Sequence, residues 1–347
     1  MRKLLNTLFV TTQGSYLGKK NETVVVTQSG VIRVQLPLIA LESVVCFGRV
    51  GCSPALMGAL GRAGICLTFL SESGRFLASV RGFASGNILL RRQQFRLADS
   101  PEGSIAIARE IVLAKLANSR TVLVRAARDV SPTDTVRLEM LRKTADRLLA
   151  TVPDIRKCQE MNALRGYEGE AARQYFNAFD ALRSPSVAPE FAFTSRSRRP
   201  PLDRLNALLS FVYTLLLQDC RAACESVGLD SCVGYLHDDR PGKPSMALDL
   251  MEEFRAPVGD RFVFSLINRK QVSPGDFLIR ENGAVEMTDA CRKTVLVAWQ
   301  NRKREEIQHP FTLESTPIGL LPYVQALLLA RHIRGDMVRY PPFLSKS

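Results

Sequence analysis

The sequence predicts an α+β protein, with a small N-terminal β-strand domain followed by a larger, mostly α-helical domain. Up to about residue 82, short apolar runs are separated by turn signals, a pattern typical of strands. From Ser104 onward, apolar residues recur at the spacing of a helix face. Between these regions, Gly82, Gly86 and Asn87 mark a change of pattern. We therefore expect a β-domain over 1–85, a linker over 86–103 and a helical domain over 104–347.

The β-domain is predicted to contain several strands and one helix. The helix is SPALMGALGRAG, residues 53–64, because Ser53 suits the N-cap and Pro54 suits the first helical position. Turn residues such as Ser29-Gly30 separate the strands. In chain order the strands are LLNTLFV, SYLGKK, ETVVVT, VIRVQL, LESVVCFG, ICLTFL and RFLASV.

The helical domain is predicted to hold amphipathic or buried helices, one hairpin and one long loop. The hairpin is DFLIRENGAVEMT, with Asn282-Gly283 at its turn. The loop, residues 184–201, is rich in Ser, Pro and Arg, and long loops of this kind tend to be functional or mobile. The main helical segments are IAIAREIVLAKLANSRTVLVRAAR, TDTVRLEMLRKTADRLLATV, a stretch around GYEGEAARQYF, and LDRLNALLSFVYTLLLQDCRAACESVG.

The charge of the chain points to a polyanionic partner. Its formal net charge is +13, which favours nucleic acid or an anionic membrane surface. Residues 1–96 hold 12 Lys and Arg against 3 Asp and Glu, so this segment carries +9 and the other 251 residues carry +4. The N-terminal part therefore supplies most of the electrostatic attraction.

Cysteine usage and hydropathy predict a soluble cytoplasmic protein that does not bind membranes. The eight cysteines include no CxxC pair, which argues against a disulfide framework and a zinc site. The apolar run of the N-terminus is short and is followed by no cleavage-site pattern, so we expect a strand there rather than a signal peptide. No stretch approaches the ~20 apolar residues that a membrane span needs.

The segment GYEGEAARQYF, residues 166–176, contains a misplaced carboxylate. Glu168 falls inside the apolar stripe of an amphipathic helix, and a buried carboxylate is costly unless it is paired or bound to a metal. Gly166 and Gly169 flank it, although glycine destabilises a helix interior. We expect these glycines to give room to a neighbouring backbone or to DNA.

A second group of polar residues lies in YLHDDRPGKPSMALDLMEEFR. His237 is in a loop stiffened by two prolines, and Ser245 is predicted to cap the following helix. Asp249 and Glu252 are three residues apart and therefore share a helix face. Carboxylates suit Mg²⁺ or Mn²⁺, and an imidazole suits Mn²⁺ better, so these residues together with Glu168 are a candidate divalent-metal site.

Other interpretations of these residues stay open. Glu168 could pair with an arginine of a neighbouring helix, and a single loop histidine is most often structural. The D-x-x-E spacing of Asp249 and Glu252 is common on solvated helix faces. The combination indicates a metal site, whereas no single residue does.

RGYEGEAARQYFNAF, GYLHDDRPGKPSMALDLMEEFR and the N-terminal β-domain together resemble the CRISPR-associated integrases of the Cas-one family, and most nearly their subtype I-C branch. The resemblance implies that the helical domain is catalytic and that Glu168, His237 and Glu252 bind Mg²⁺ or Mn²⁺. Asp249 matches an acidic position that lies close to the metal, so these four residues form the implied catalytic set. Many relatives have Asp where Glu252 stands.

The resemblance also implies an activity and partners. The activity is spacer acquisition by metal-dependent transesterification, in which the 3′-hydroxyl of a short DNA fragment attacks a phosphodiester at the border of a CRISPR repeat, together with endonuclease activity. The implied partners are double-stranded DNA, a second copy of the chain and the small Cas-two protein. The alternatives are a stand-alone metal-dependent DNA repair nuclease and a non-catalytic DNA-binding scaffold. The basic residues expected to contact DNA are Arg165, Arg196, Arg198, Arg199, Arg240, Lys243 and Arg255.

Overall fold

The computed structural model describes residues 7–41, 43–72, 76–80, 82 and 88–346. The chain forms two compact units. The predicted boundary at residue 85 and the first residues of the first predicted strand lie outside the described part. The first unit comprises Met1–Ser85, Met287–Glu305 and Pro317–Leu320, and the second comprises Gly86–Glu286, Glu306–Thr316 and Leu321–Ser347.

The first unit contains two four-stranded sheets. One sheet has the strand order β1-β5-β7-β8, in which only the pairing of β7 with β8 is antiparallel, and the other has the order β4-β3-β2-β6. Leu17, Val44, Leu56 and Leu67 are fully buried in one apolar core that both sheets share with the first helix. The strands are β1 (Thr7–Val10), β2 (Ser15–Lys20), β3 (Thr23–Gln28), β4 (Val31–Pro37), β5 (Ser43–Phe47), β6 (Gly51–Cys52), β7 (Cys66–Leu70) and β8 (Phe76–Val80).

The described residues are predominantly helical beyond these sheets. The helices are α1 (Pro54–Arg62), α2 (Ile88–Asp99), α3 (Pro101–Asp129), α4 (Thr135–Ala150), α5 (Val152–Lys157), α6 (Met161–Asn177), α7 (Arg204–Val227), α8 (Ser245–Glu252), α9 (Arg261–Asn268), α10 (Asp289–Arg304) and α11 (Leu321–Ile333). A π-helical turn over Arg255–Asp260 links α8 to α9. Two hairpins pair β9 (Phe277–Ile279) with β10 (Val285–Met287) and β11 (Glu306–Gln308) with β12 (Ser315–Pro317).

Local sequence signals positioned several of these elements correctly. The Ser53 side chain accepts a hydrogen bond from the Leu56 N–H, which confirms the predicted N-cap of α1. Gly283 has a positive φ of 78° between β9 and β10, which confirms the predicted turn. The expected linker over 86–103 is largely helical, because α2 and the start of α3 occupy it. Helix α10 groups with the first unit.

Helix α3 organises the second unit. It is 29 residues long and packs against α2, α4, α6 and α8. Helix α7 packs against α8 and α11 on another side. The loop over 184–201 is anchored, because Phe191 and Phe193 are buried and Phe193 stacks on Phe176 of α6. The site residues of α3, α6 and α8 are therefore held by a helical core.

Two observations bear on the compartment and the membrane. Helix α7 is long and apolar enough to cross a membrane by composition, with a mean hydropathy of 1.2, which the sequence had not led us to expect. Most of it is buried inside the unit, which is typical of a core helix. All eight cysteines are free.

Candidate metal centre

Glu168 lies on the buried side of α6, as its place in the apolar stripe predicts. Leu164, Ala171 and Tyr175 of the same helix are buried, and Glu168 lies one turn from Leu164. Its side chain is 25% exposed, and its Oε1 forms an ion pair with the Nζ of Lys115 on α3. The partner of this carboxylate is therefore a lysine of a neighbouring helix.

No described backbone lies close to Gly166 or Gly169. Both are exposed, and a Cβ added at either position would meet no described atom within 4 Å. The expectation of a close backbone approach is therefore wrong for the described residues. The two glycines leave an open surface beside Glu168, which keeps the alternative of DNA approach.

Asp249 fixes the orientation of His237. The Asp249 side chain is fully buried on α8, and its Oδ1 lies 2.6 Å from His237 Nδ1. The same carboxylate accepts hydrogen bonds from the backbone N–H groups of Tyr235 (2.6 Å), Leu236 (2.9 Å) and His237 (3.0 Å). Because Nδ1 is bonded to Asp249, Nε2 is the ring nitrogen left to face Glu252, 4.0 Å away. Both oxygens of Asp249 thus already have partners, and one of these contacts orients the imidazole.

The loop before α8 depends on a glycine that the sequence did not single out. A Cβ at Gly234 would lie 2.8 Å from Asp249 Oδ2 and from Ser245, so only glycine lets the loop approach the carboxylate. The prediction that Ser245 caps α8 is wrong. Ser245 is the first helical residue, and its hydroxyl donates to the carbonyl oxygen of Asp238 at 2.9 Å.

Glu252, the last residue of α8, is a buried carboxylate among cations. Its side chain is 3% exposed, with Oε1 3.0 Å from Arg255 Nη2 and Oε2 2.7 Å from Lys115 Nζ. Oε1 also lies 4.0 Å from His237 Nε2. Burial alone would raise the pKa of Glu252, but the nearby Arg255, Lys115 and His237, in that order of effect, outweigh it and lower the pKa to about 2. Glu252 is therefore ionised at neutral pH.

The neighbouring Glu253 points away from this group. Its carboxylate accepts hydrogen bonds from the Tyr340 hydroxyl, the Phe343 N–H (2.6 Å) and Gln325 Nε2 (2.9 Å). Asn118 of α3 donates to the Glu253 and Phe343 carbonyl oxygens, at 2.8 Å each. Glu253 thus binds the C-terminal segment to α8 and α3, and the helical phase leaves Glu252 as the carboxylate that faces His237.

Lys115 is the residue of the site that the sequence interpretation missed. Its ammonium contacts Glu168 and Glu252 from a third helix, and its side chain is 14% exposed. The available signal was of the same kind as for Glu168, since Lys115 is a charge within the apolar run IVLAKLA.

Arg255 is held in place by aromatic and acidic side chains behind the site. Its guanidinium carbon lies 5.2 Å from the centroid of the Tyr213 ring. The Tyr213 hydroxyl donates to Asp260 at 2.6 Å, and the Tyr175 hydroxyl donates to the other oxygen of Asp260 at 3.0 Å. Burial raises the pKa of Asp260 to about 6, although both tyrosines and the nearby arginines lower it. This network fixes Arg255 against Glu252.

The seven basic residues expected to contact DNA have different environments. Arg198, Arg199 and Arg240 are exposed. Arg196 lies over Tyr213 at 5.5 Å and donates to Asn206 Oδ1 at 2.6 Å, so it is packed inside like Arg255.

The other two line the loop that carries His237. Arg165 forms a 2.5 Å ion pair with Asp238 and donates to the Leu236 carbonyl oxygen at 2.8 Å. Lys243 donates to the Asp238 carbonyl oxygen at 3.2 Å. Both residues therefore stiffen this loop, whatever else they contact.

The residues fit a divalent cation, although no metal geometry is preformed. Within the described ranges, no three His, Cys, Asp or Glu side chains stand in a metal-binding arrangement. However, one oxygen of Glu168 and one oxygen of Glu252 already contact the same cationic atom, Lys115 Nζ. Nε2 of His237 faces the other oxygen of Glu252. Two carboxylates and one imidazole form a donor set suited to Mg²⁺ or Mn²⁺.

Comparisons with known proteins place this geometry in context. Residues 8–301 match the sequence model of the family described as CRISPR associated protein Cas1. The CRISPR-associated endonuclease Cas1 1 of Chlorobaculum tepidum is 51% identical over 346 residues, with 99% of each chain covered.

Two solved structures have a similar fold. A casposase bound to its integration product superposes with a TM-score of 0.81 at 20% identity, covering 96% of this chain and 91% of the casposase. A chain of a Cas6-RT-Cas1–Cas2 complex superposes with a TM-score of 0.83 at 23% identity. That match covers 99% of this chain but 37% of the larger chain.

Proposed function

This chain belongs to the CRISPR-associated Cas1 family, and on that premise we propose that it is a CRISPR adaptation integrase and DNA endonuclease. The identity of 51% to a CRISPR-associated endonuclease over almost the whole length supports the activity. The observation that carries the proposal is that Glu168 and Glu252 meet at one cationic atom, Lys115 Nζ, with His237 Nε2 4.0 Å from Glu252. The assignment to subtype I-C stays a prediction.

We propose that Glu168, His237 and Glu252 hold the divalent cation on which this activity depends, and that it is Mg²⁺ or Mn²⁺. When bound, such an ion polarises a phosphodiester and orients an attacking hydroxyl. Asp249 keeps His237 Nε2 directed at the site, and Arg255 keeps Glu252 ionised and aligned. Glu252 has a longer side chain than the Asp that many relatives have at this position. It therefore reaches further from α8, which affects the preference between Mg²⁺ and Mn²⁺.

We propose double-stranded DNA as the substrate, both as the incoming fragment and as the CRISPR repeat. The net charge of +13 supports long-range attraction of a polyanion. The exposed Arg198, Arg199 and Arg240 are the members of the predicted set best placed to bind phosphate, because the others already have partners inside the chain. Since the attacking group is a DNA 3′-hydroxyl, no protein nucleophile is required.

We further propose a Cas2 protein and a second copy of this chain as partners, and the cytoplasm as the site of action. The fold shared with a chain of a Cas6-RT-Cas1–Cas2 complex supports the first partner. The N-terminal β-domain is the proposed dimer contact.

The test combines the protein, its Cas2 partner, a short duplex with free 3′-hydroxyls and a plasmid bearing the repeat. We expect half-site products at the repeat border with Mg²⁺ or Mn²⁺ and none with EDTA. Glu168→Gln should abolish strand transfer and leave DNA affinity within a few fold, since the phosphate contacts lie elsewhere. Glu170→Gln, on the exposed face of the same helix, is the matched control and should integrate normally.

Other outcomes of this experiment select the alternatives. Metal-dependent nicking at random positions would favour a stand-alone DNA repair nuclease. DNA binding without metal-dependent products would favour a non-catalytic scaffold. Normal integration by Glu168→Gln would show that the metal site is assigned to the wrong residues.

A further inference from the structure

Lys115 occupies the point where the two proposed carboxylate ligands meet. Its Nζ contacts Glu168 Oε1 and lies 2.7 Å from Glu252 Oε2. These oxygens belong to different helices, and Lys115 belongs to a third, so the contact results from the packing of α3, α6 and α8.

An ammonium and a divalent cation cannot occupy the same point between these two oxygens. A carboxylate binds Mg²⁺ at about 2.0–2.1 Å, whereas it accepts a hydrogen bond from an ammonium at about 2.7–2.9 Å. An ion bound to both oxygens would therefore lie almost where Nζ lies, and the two positive charges would repel each other. One of them has to leave.

The lysine is the cation that can leave. Its ammonium is a point charge on a flexible four-carbon stem, and 14% of the side chain is exposed, so the side chain already reaches solvent. Arg255 cannot be displaced in the same way, since its guanidinium is fixed between Glu252 and the face of Tyr213.

We propose that Lys115 is a built-in counter-ion of the metal centre. It pairs with both Glu168 and Glu252 in the metal-free protein and is displaced when the divalent cation binds, so metal affinity is lowered by competition with this side chain. This inference rests on the proposed metal site.

Calorimetric titration of the metal-free protein with Mn²⁺, in the absence of DNA, tests the competition. The variants are Lys115→Met, which keeps the stem without the charge, and Lys143→Met, a control at an exposed lysine of α4. We expect Lys115→Met to bind Mn²⁺ about fivefold or more tightly than the parent, in the range typical of coupled sites. Lys143→Met should bind like the parent. Equal or weaker binding by Lys115→Met would overturn the role of Lys115.

Glu168→Gln separates failure of the inference from failure of the proposed function. If the parent binds Mn²⁺ and Glu168→Gln binds it equally well, the metal site itself is wrong, and the inference falls with it. If Glu168→Gln loses binding while Lys115→Met matches the parent, only the counter-ion role is wrong. Lys115→Gln, which removes the charge and keeps a polar side chain, replaces Lys115→Met if that variant does not fold.

A measurement on the unmodified protein gives an independent check. Lysine acylation followed by mass spectrometry reports whether each amine is free. We expect Mn²⁺ to increase the acylation rate of Lys115 relative to Lys143, because displacement breaks both ion pairs. An unchanged or lower rate for Lys115 would contradict displacement.

Discussion

His237 Nδ1 and Asp249 Oδ1 are 2.6 Å apart, and this hydrogen bond decides which ring nitrogen faces the cleft. Partners that orient a metal-ligating histidine typically change metal affinity or activity by about 10–100-fold when they are removed. We expect Asp249→Asn to lose activity within that range. Strand-transfer rates and Mn²⁺ titration of Asp249→Asn, with Asp146→Asn on the exposed face of α4 as control, would check this.

Thermal unfolding should accompany the measurements on Asp249→Asn, because the same carboxylate accepts three backbone hydrogen bonds. A folded variant with parental rates and parental metal affinity would show that the imidazole is oriented by another group.

The exposed glycines of α6 offer a test of DNA approach. Gly166→Ala and Gly169→Ala should each stabilise the DNA-free protein by about 0.5–1 kcal/mol, because alanine is the better helix former and its Cβ meets no neighbour. Urea unfolding measures this gain. If the glycines give DNA room to approach α6, the same variants should weaken duplex binding. Parental DNA affinity together with higher stability would show that the glycines have no role in DNA binding.

Asp260 predicts a specific dependence of stability on pH. Its pKa is raised from 3.8 to about 6, mainly by burial, so the folded state holds the proton more tightly than the unfolded state does. The stabilisation is therefore complete below about pH 3.8 and is lost as the pH rises through about 6. A shift of this size corresponds to about 3 kcal/mol.

The variant Asp260→Asn isolates this contribution, since the amide does not titrate. Urea unfolding at pH 4 and pH 7 should show the difference in stability between parent and variant moving in favour of the variant at the higher pH. A difference that is the same at both values would show that Asp260 does not titrate in this window.

The basic residues should separate into two functional groups. Arg198→Ala removes an exposed charge, so we expect weaker DNA binding and a salt dependence reduced by about one unit of slope, with unchanged stability. Arg196→Ala removes a packed guanidinium that contacts Tyr213 and Asn206. We expect its main effect to be a lower unfolding free energy rather than weaker DNA binding. Fluorescence anisotropy at several salt concentrations, with urea unfolding, distinguishes these outcomes. Equal effects of both variants would contradict the division.

Signals that act over one or two turns of chain were sufficient for much of the fold. Ser53 and Pro54 began α1 as predicted, and Asn282-Gly283 turned the hairpin, because caps and turns depend on neighbouring residues alone. The stripe on α6 also located Glu168 correctly on the buried side. These are interactions that the order of residues encodes directly.

Contacts between distant segments cannot be predicted from such local signals. The lysine partner of Glu168 is 53 residues away on α3, and a hydrophobic period does not identify which helix will face another. For the same reason the sequence did not indicate that α10 belongs to the first unit. Likewise, Arg255 and Arg198 look equivalent in the sequence, although one packs on Tyr213 and the other is exposed.

The hydrogen bonds between Glu253 and the C-terminal segment have a practical consequence for labelling. Phe343 donates to Glu253 at 2.6 Å, the Ser345 N–H donates to Asn118 at 2.8 Å, and the Lys346 carbonyl accepts from Arg125 at 2.8 Å. A fluorophore or fusion partner joined directly after Lys346 would therefore pull on α8 one residue from Glu252. Val136, 75% exposed on α4, is a better attachment point for a reporter that must leave the enzyme working.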